Sequence, residues 1–187
     1  LTLMDKFKDE EVPITVATVD MDWHWVDIKK KFGKDAVDKT DKNSILEFFY
    51  NAVFPGWTGY SWNTDLFPDH KSFLNWLNEN GFKVTMNLHP ASGCKFYEDA
   101  YEDFCKFMNI DKNSRQQIKF DITNDRFIEG YFKFLHHPHE NEGVAFWWID
   151  WQQGKNTAIK GLDPLWALNH YHSLDIAREG KKRPLIL

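Results

Sequence analysis

The sequence predicts an α/β protein organised as a partial (β/α)8 TIM barrel, with roughly the first half to five-eighths of one present. Three observations lead there. Short β-branched apolar runs recur along the chain, and each runs into polar residues. Amphipathic helical patterns lie between these runs, the order expected of βα units around a parallel sheet. The G-x-G-x-x-G and Walker sequences of nucleotide-binding α/β folds do not occur. A full barrel needs roughly 250 residues, and the chain has 187. Residues 1–187 therefore read as a single partial domain with an insertion at about 25–55.

The elements follow in order. A first strand is expected over residues 12–19, ending on Asp20. Residues 25–55, charged and then aromatic, form the insertion, with a helix over 44–53. A helix over 71–80 gathers Phe73, Leu74 and Leu77 on one face, and Asn80-Gly81 ends it. The second strand, 82–88, runs into His89-Pro90. The helix over 97–108 carries Tyr97, Tyr101, Phe104 and Met108 at spacings of three and four. A shorter, weaker strand is expected over 118–122. The helix over 125–135 puts Phe127, Ile128, Tyr131, Phe132 and Leu135 on one side. The strand over 144–149 ends on Asp150. Asp163-Pro164, an N-cap followed by Pro at the first helical position, opens a helix that Gly180 closes. Residues 184–187 read as the start of a further strand, so the chain is expected to be an internal portion of a barrel. Such a portion exposes strand edges and apolar helix faces, which favours self-association.

Composition narrows the partners. Hydrophobic residues make up 42% and charged residues 27%, the balance of a globular protein. A net charge of −5 and scattered basic residues argue against nucleic acid, which needs clustered Lys and Arg. Lys29, Lys30 and Lys31 read as one solvated helix face. No stretch reaches the ~20 apolar residues that span a bilayer, so no membrane partner is expected. Residues 1–11 are polar and carry both signs of charge, unlike a signal peptide. Cys94 and Cys105 make no disulfide framework and fit no zinc spacing. His136, His137 and His139 are close in sequence, but Pro138 breaks the helix that would align them, and no metal site is expected there. His170 and His172, two apart on a helix, face different ways. Asp69 and Asp163 read as helix caps, and Glu140 and Glu142 as part of a solvated loop. No cofactor is implied. Cellular location is not legible.

Aromatic residues reach 17%, with nine Trp. Trp23, Trp25, Trp57, Trp62, Trp147, Trp148 and Trp151 lie beside polar residues near strand ends. Amphipathic rings next to carboxylates and amides suit a polar ligand with apolar faces, such as a sugar, and equally suit an aromatic-rich core. Barrel enzymes carry their chemistry at the carboxyl ends of strands. Here those positions hold Asp20 and Asp22, Asn87 and His89, Asp121, and Asp150 with Gln152 and Gln153. Converging carboxylates amid Trp rings fit glycoside hydrolysis, which uses two carboxyl groups flanking an oxocarbenium-like transition state. The alternative is a non-catalytic carbohydrate-binding module built on Trp platforms.

The run Ala145-Phe146-Trp147-Trp148-Ile149-Asp150-Trp151-Gln152-Gln153-Gly154 resembles the nucleophile segment of glycoside hydrolase family 31, where a Trp-any-Asp core ends the fourth barrel strand. Val16 to Trp23 resembles that family's first strand with its Asp-x-Asp-aromatic ending. Leu66-Phe67-Pro68-Asp69, Val84 to Pro90, and Phe120 to Asn124 resemble the segments that follow, in the same order. The resemblance implies a retaining α-glycosidase acting on an oligosaccharide or other α-glycoside. Asp150 would be the nucleophile, Asp20 a ligand of sugar hydroxyls, and Trp148 a wall beside the ring. Asp22, Trp23, Trp57, Asn87 and His89 would complete the substrate site. Two departures bear on the sugar. The common α-glucosidase form continues after the nucleophile with Met-Asn-Glu, where this chain has Trp151-Gln152-Gln153. The second strand usually ends in Asp-Pro, where this chain has His89-Pro90. Galactose or N-acetylgalactosamine then becomes plausible beside glucose. The family's acid/base Asp falls on a strand after residue 187, so this chain alone is expected to be inactive.

Overall fold

The computed structural model describes residues 2–33, 56–150 and 157–187. The helix expected over 44–53 lies outside them, as do Trp151, Gln152 and Gln153. The described chain runs α1 (Thr2–Asp9), β1 (Val16–Val19), α2 (Ile28–Phe32), α3 (His70–Glu79), β2 (Lys83–Leu88), α4 (Tyr101–Met108), α5 (Asp125–Leu135), α6 (His137–Glu142), β3 (Val144–Ile149) and α7 (Pro164–Ile176). The strands form one parallel sheet in the order β1-β2-β3. That sequential order is the one consecutive βα units give. Residues 186–187 extend it. Trp147 bridges Ile186 in parallel; Ile149 N donates to Leu187 O at 2.9 Å, and Leu187 N donates to Trp147 O at 3.1 Å.

Parallel neighbours in register project their side chains to the same face. Thr18 lies opposite Thr85, Thr85 opposite Phe146, and Asn87 opposite Trp148. One face therefore carries Thr85, Asn87, Phe146 and Trp148 and leads outward to the strand ends. The other carries Ala17, Val84, Met86, Leu88, Trp147 and Ile149, all in the core with α3, α4 and α5. Register slips between Val84 and Thr85, where Val144 pairs with Val84 and Phe146 with Thr85. The extra residue of this bulge, Ala145, keeps both Val144 and Trp147 on the core side. The helices contribute Leu74 and Leu77, Tyr101 and Phe104, and Phe127, Tyr131 and Leu135, each close to fully buried.

Caps set the helix starts where the sequence places them. Asp69 accepts from Ser72 N at 3.0 Å, Asn124 from Phe127 N at 3.1 Å, and Asp163 from Leu165 N at 2.8 Å. Three expectations are corrected. Residues 118–122 do not enter the sheet. Ile118 instead makes an isolated antiparallel bridge to Cys94, and Asp121 turns back to accept from Thr123 N and Oγ1. β2 pairs directly with β3, so Asp150 ends the third strand of this sheet rather than a fourth. Glu140 and Glu142 belong to helix α6, not to a loop. The Glu140 side chain is 3% exposed, accepting from Trp147 Nε1 and Arg178 Nη2. α1, unremarked in the sequence, is a helix with no buried residue.

Candidate active site

Three strand ends converge. Asp20 follows β1, Asn87 lies near the end of β2 with His89 just after it, and Asp150 follows β3. The ladder carries on for one more bond, from Asp150 N to Leu88 O at 3.0 Å. This places the Asp150 carboxylate beside the side chains of Asn87, in β2, and His89, just after it. His89 Nε2 lies 3.3 Å from Asp150 Oδ2, and Asn87 Nδ2 lies 3.5 Å from the same oxygen. The Asp150 side chain is 28% exposed, while that of His89 is 3% exposed. A buried imidazole thus sits under a carboxylate that opens to the surface.

Burial pushes the His89 pKa below its ordinary value, and the charges of Asp150 and Asp20 oppose that push. Asp20 is exposed, and its Oδ1 accepts from Met21 N at 2.7 Å, capping the turn Met21–Trp23. Asp22 is exposed on that turn; among the described residues no hydrogen bond joins it to Asn87, His89 or Asp150. Trp148, half-buried, stands beside Asn87 on the same face of the sheet. Trp57 packs edge-on against the His89 ring, centroids 5.3 Å apart.

Trp23 is the exception among the expected pocket residues. It has no exposed surface, and it packs against His24, Trp62, His139 and Trp147. Its Nε1 donates to the carbonyl oxygen of Asn87 at 2.9 Å. It is a core support under β2 and cannot meet a ligand. Trp62 and Trp147 are equally part of the core. Three of the seven Trp rings that composition offered as sugar platforms, Trp23, Trp62 and Trp147, are therefore structural.

One contributor was missed in the sequence. Thr58 Oγ1 donates to the backbone oxygen of His89 and accepts from Ser92 N at 3.2 Å, tying the segment around Trp57 to the turn after β2. The signal for this contact is Gly59, where a Cβ would stand 2.3 Å from His24 Nδ1, so only glycine lets this segment come so close.

His136 Nδ1 donates to Tyr131 O at 2.8 Å and His139 Nε2 to Tyr60 O at 2.9 Å, both buried. His137, Glu140 and Asp175 offer ligand atoms within 4.8 Å of one another. Arg178 already fills that site with a positive charge, 2.8 Å from Glu140 and 2.9 Å from Asp175.

Comparison with known proteins now bears on this geometry. No curated protein matches the chain. Among solved structures, a GH31 alpha-xylosidase from a soil metagenome, complexed with xylose, resembles it with a TM-score of 0.54 at 13% identity. The match covers 97% of this chain and 25% of that one, so the chain spans a quarter of that protein's length. At that identity the likeness is one of fold. The model of the glycosyl hydrolases family 31 TIM-barrel domain matches residues 1–175, and with that match the chain belongs to glycoside hydrolase family 31.

Proposed function

We propose that this chain is the nucleophile-bearing part of a retaining α-glycosidase, a run of consecutive barrel staves from β1 to the segment at Ile186. Asp150 is the nucleophile. Its carboxylate bonds to the anomeric carbon as the bond to the leaving oxygen breaks, and that oxygen takes its proton from a general acid. Water then cleaves the glycosyl ester and restores the carboxylate. Asp20 receives sugar hydroxyls at the far side of the subsite, and Trp148 lines it. The observation that carries this reading is the carboxylate itself. It stands at the C-terminal end of a parallel strand, open to the surface, with Asn87 Nδ2 and His89 Nε2 at 3.5 and 3.3 Å from one of its oxygens.

The general acid must approach to ~5–5.5 Å for retention. In the resemblance it comes from sequence after residue 187, so the test belongs to a polypeptide with a complete barrel. Aryl α-glycosides of glucose, galactose, N-acetylgalactosamine and xylose are the panel, assayed with the parent and with Asp150→Asn. One sugar is expected to be cleaved. The variant is expected to lose on the order of 4 kcal/mol of transition-state stabilisation, about a thousandfold in rate. A variant that keeps its rate would remove Asp150 from the mechanism. His89 replaces the usual acidic residue before that Pro, and this is the reason the panel extends beyond glucose.

A further inference from the structure

We propose that His89 is a positioning residue for the nucleophile: its Nε2–H holds one oxygen of Asp150 from beneath, with Asn87 Nδ2 steadying the same oxygen, and it does not itself touch the sugar. The inference rests on reading Asp150 as the nucleophile.

The geometry separates this role from sugar binding. Nε2 lies 3.3 Å from Asp150 Oδ2, and only 3% of the side chain reaches the surface. Nδ1 is buried and, among the described residues, has no hydrogen-bond partner. A carboxylate oxygen only accepts, so Nε2 must carry the proton. Both ends of the residue are fixed. Trp57 packs on the ring, and Thr58 holds the backbone oxygen. The charged and titratable groups that face the imidazole are Asp150 beyond β3, Asp20 beyond β1, and His24. Burial keeps His24 neutral, at about 4, and burial likewise favours the neutral form of His89 over the pull of the two carboxylates. A neutral donor orients the carboxylate without cancelling the negative charge that attacks the anomeric carbon. A buried cation at the same place would draw that charge to itself. The contacts of 3.3 and 3.5 Å are long for charge-assisted bonds, as is common before substrate arrives and draws the groups together.

The experiment compares His89→Ala, His89→Gln and Asp150→Asn in the complete enzyme, using an aryl α-glycoside that the parent cleaves. His89→Ala is expected to lower kcat about 100-fold, the scale of a reacting group misplaced by an ångström, with KM changed less than about threefold. His89→Gln, which keeps an N–H donor, recovers most of the loss. Activity retained in Asp150→Asn would overturn the nucleophile reading and this inference with it. An inactive Asp150→Asn beside a His89→Ala variant altered in KM alone would overturn only the positioning role, making His89 a sugar contact. The imidazole nitrogens of the unsubstituted chain, observed by NMR, test the same point without requiring the Ala variant to fold. A neutral ring protonated at Nε2 at pH 7 is expected, its proton signal displaced in Asp150→Asn. A ring protonated at Nδ1 would overturn the proposal.

Discussion

Trp23 Nε1 and the Asn87 carbonyl oxygen form a buried bond across 64 residues of sequence. Asn87 is wholly buried, and its side chain reaches toward Asp150. Trp23→Phe keeps an aromatic ring but leaves that oxygen unpaired and a gap beside Trp62 and Trp147. An unsatisfied buried carbonyl costs ~1–3 kcal/mol, and the lost volume adds to it. Unfolding in urea is expected to show a loss of ~2–4 kcal/mol. A loss below ~0.5 kcal/mol would mean that the bond contributes nothing. At this scale the sequence was legible where a polar residue follows an apolar run, which singled out Asp20, Asn87, His89 and Asp150. It was not legible at Trp23. An indole beside an aspartate reads alike in a core and in a pocket, and only the fold decides which side of the backbone it takes. Thr58 was silent for a related reason. Its role depends on a contact with His89, 31 residues away, which no local pattern encodes.

At the scale of elements, periodicity and caps gave β2, β3, α3, α5 and α7 to within a few residues, because each buries one regular face. The run 118–122 failed because it pairs only at Ile118, in a single bridge to Cys94, while Ile122 packs in the core. Gly93, at φ +58, would set a Cβ 2.0 Å from Ile118 O, so only glycine lets the two segments approach at this bridge. α6 was hidden by Pro138, which was read as a breaker but stands in the first turn of a new helix. Gly130 shows what a glycine does inside a helix. It lies in the middle of α5, where a Cβ would stand 2.3 Å from Phe104 Cε2 and 3.1 Å from Phe107 Cδ1. Alanine would gain ~1 kcal/mol of helix propensity. Overpacking against α4 costs ~1–3 kcal/mol, and a contact at 2.3 Å lies at the severe end. Gly130→Ala is therefore expected to lower stability by ~1–2 kcal/mol in chemical denaturation. A more stable variant would mean that the Phe104 ring yields freely.

For the whole molecule, the unusual feature is a set of histidines placed where charge is costly. His24, His136, His139 and His172 are all buried. Burial lowers each pKa, to about 4 for His24 and about 3 for His172, and well below the ordinary value for His136. A base whose folded pKa is depressed takes up protons in the unfolded chain first. Stability is then fully present above the unfolded value near 6.5 and drains away as pH falls toward the folded values. At about 1.4 kcal/mol per pH unit, His24 and His172 together are worth on the order of 5 kcal/mol by pH 4. Glu98 works in the opposite sense. Burial raises it to about 7, so its contribution is present below the unfolded value of 4.5 and is lost as pH rises through about 7. One carboxylate offsets only part of what four histidines cost. Melting temperature is expected to hold near pH 7 and fall steadily between pH 6.5 and pH 4. His172→Leu removes one of the four and the contact of its ring with Tyr131 Oη at 3.1 Å. It should start less stable at pH 7 yet lose less on acidification than the parent. Parallel acid branches in the two proteins would mean that His172 is not among the groups that must be charged for the fold to open.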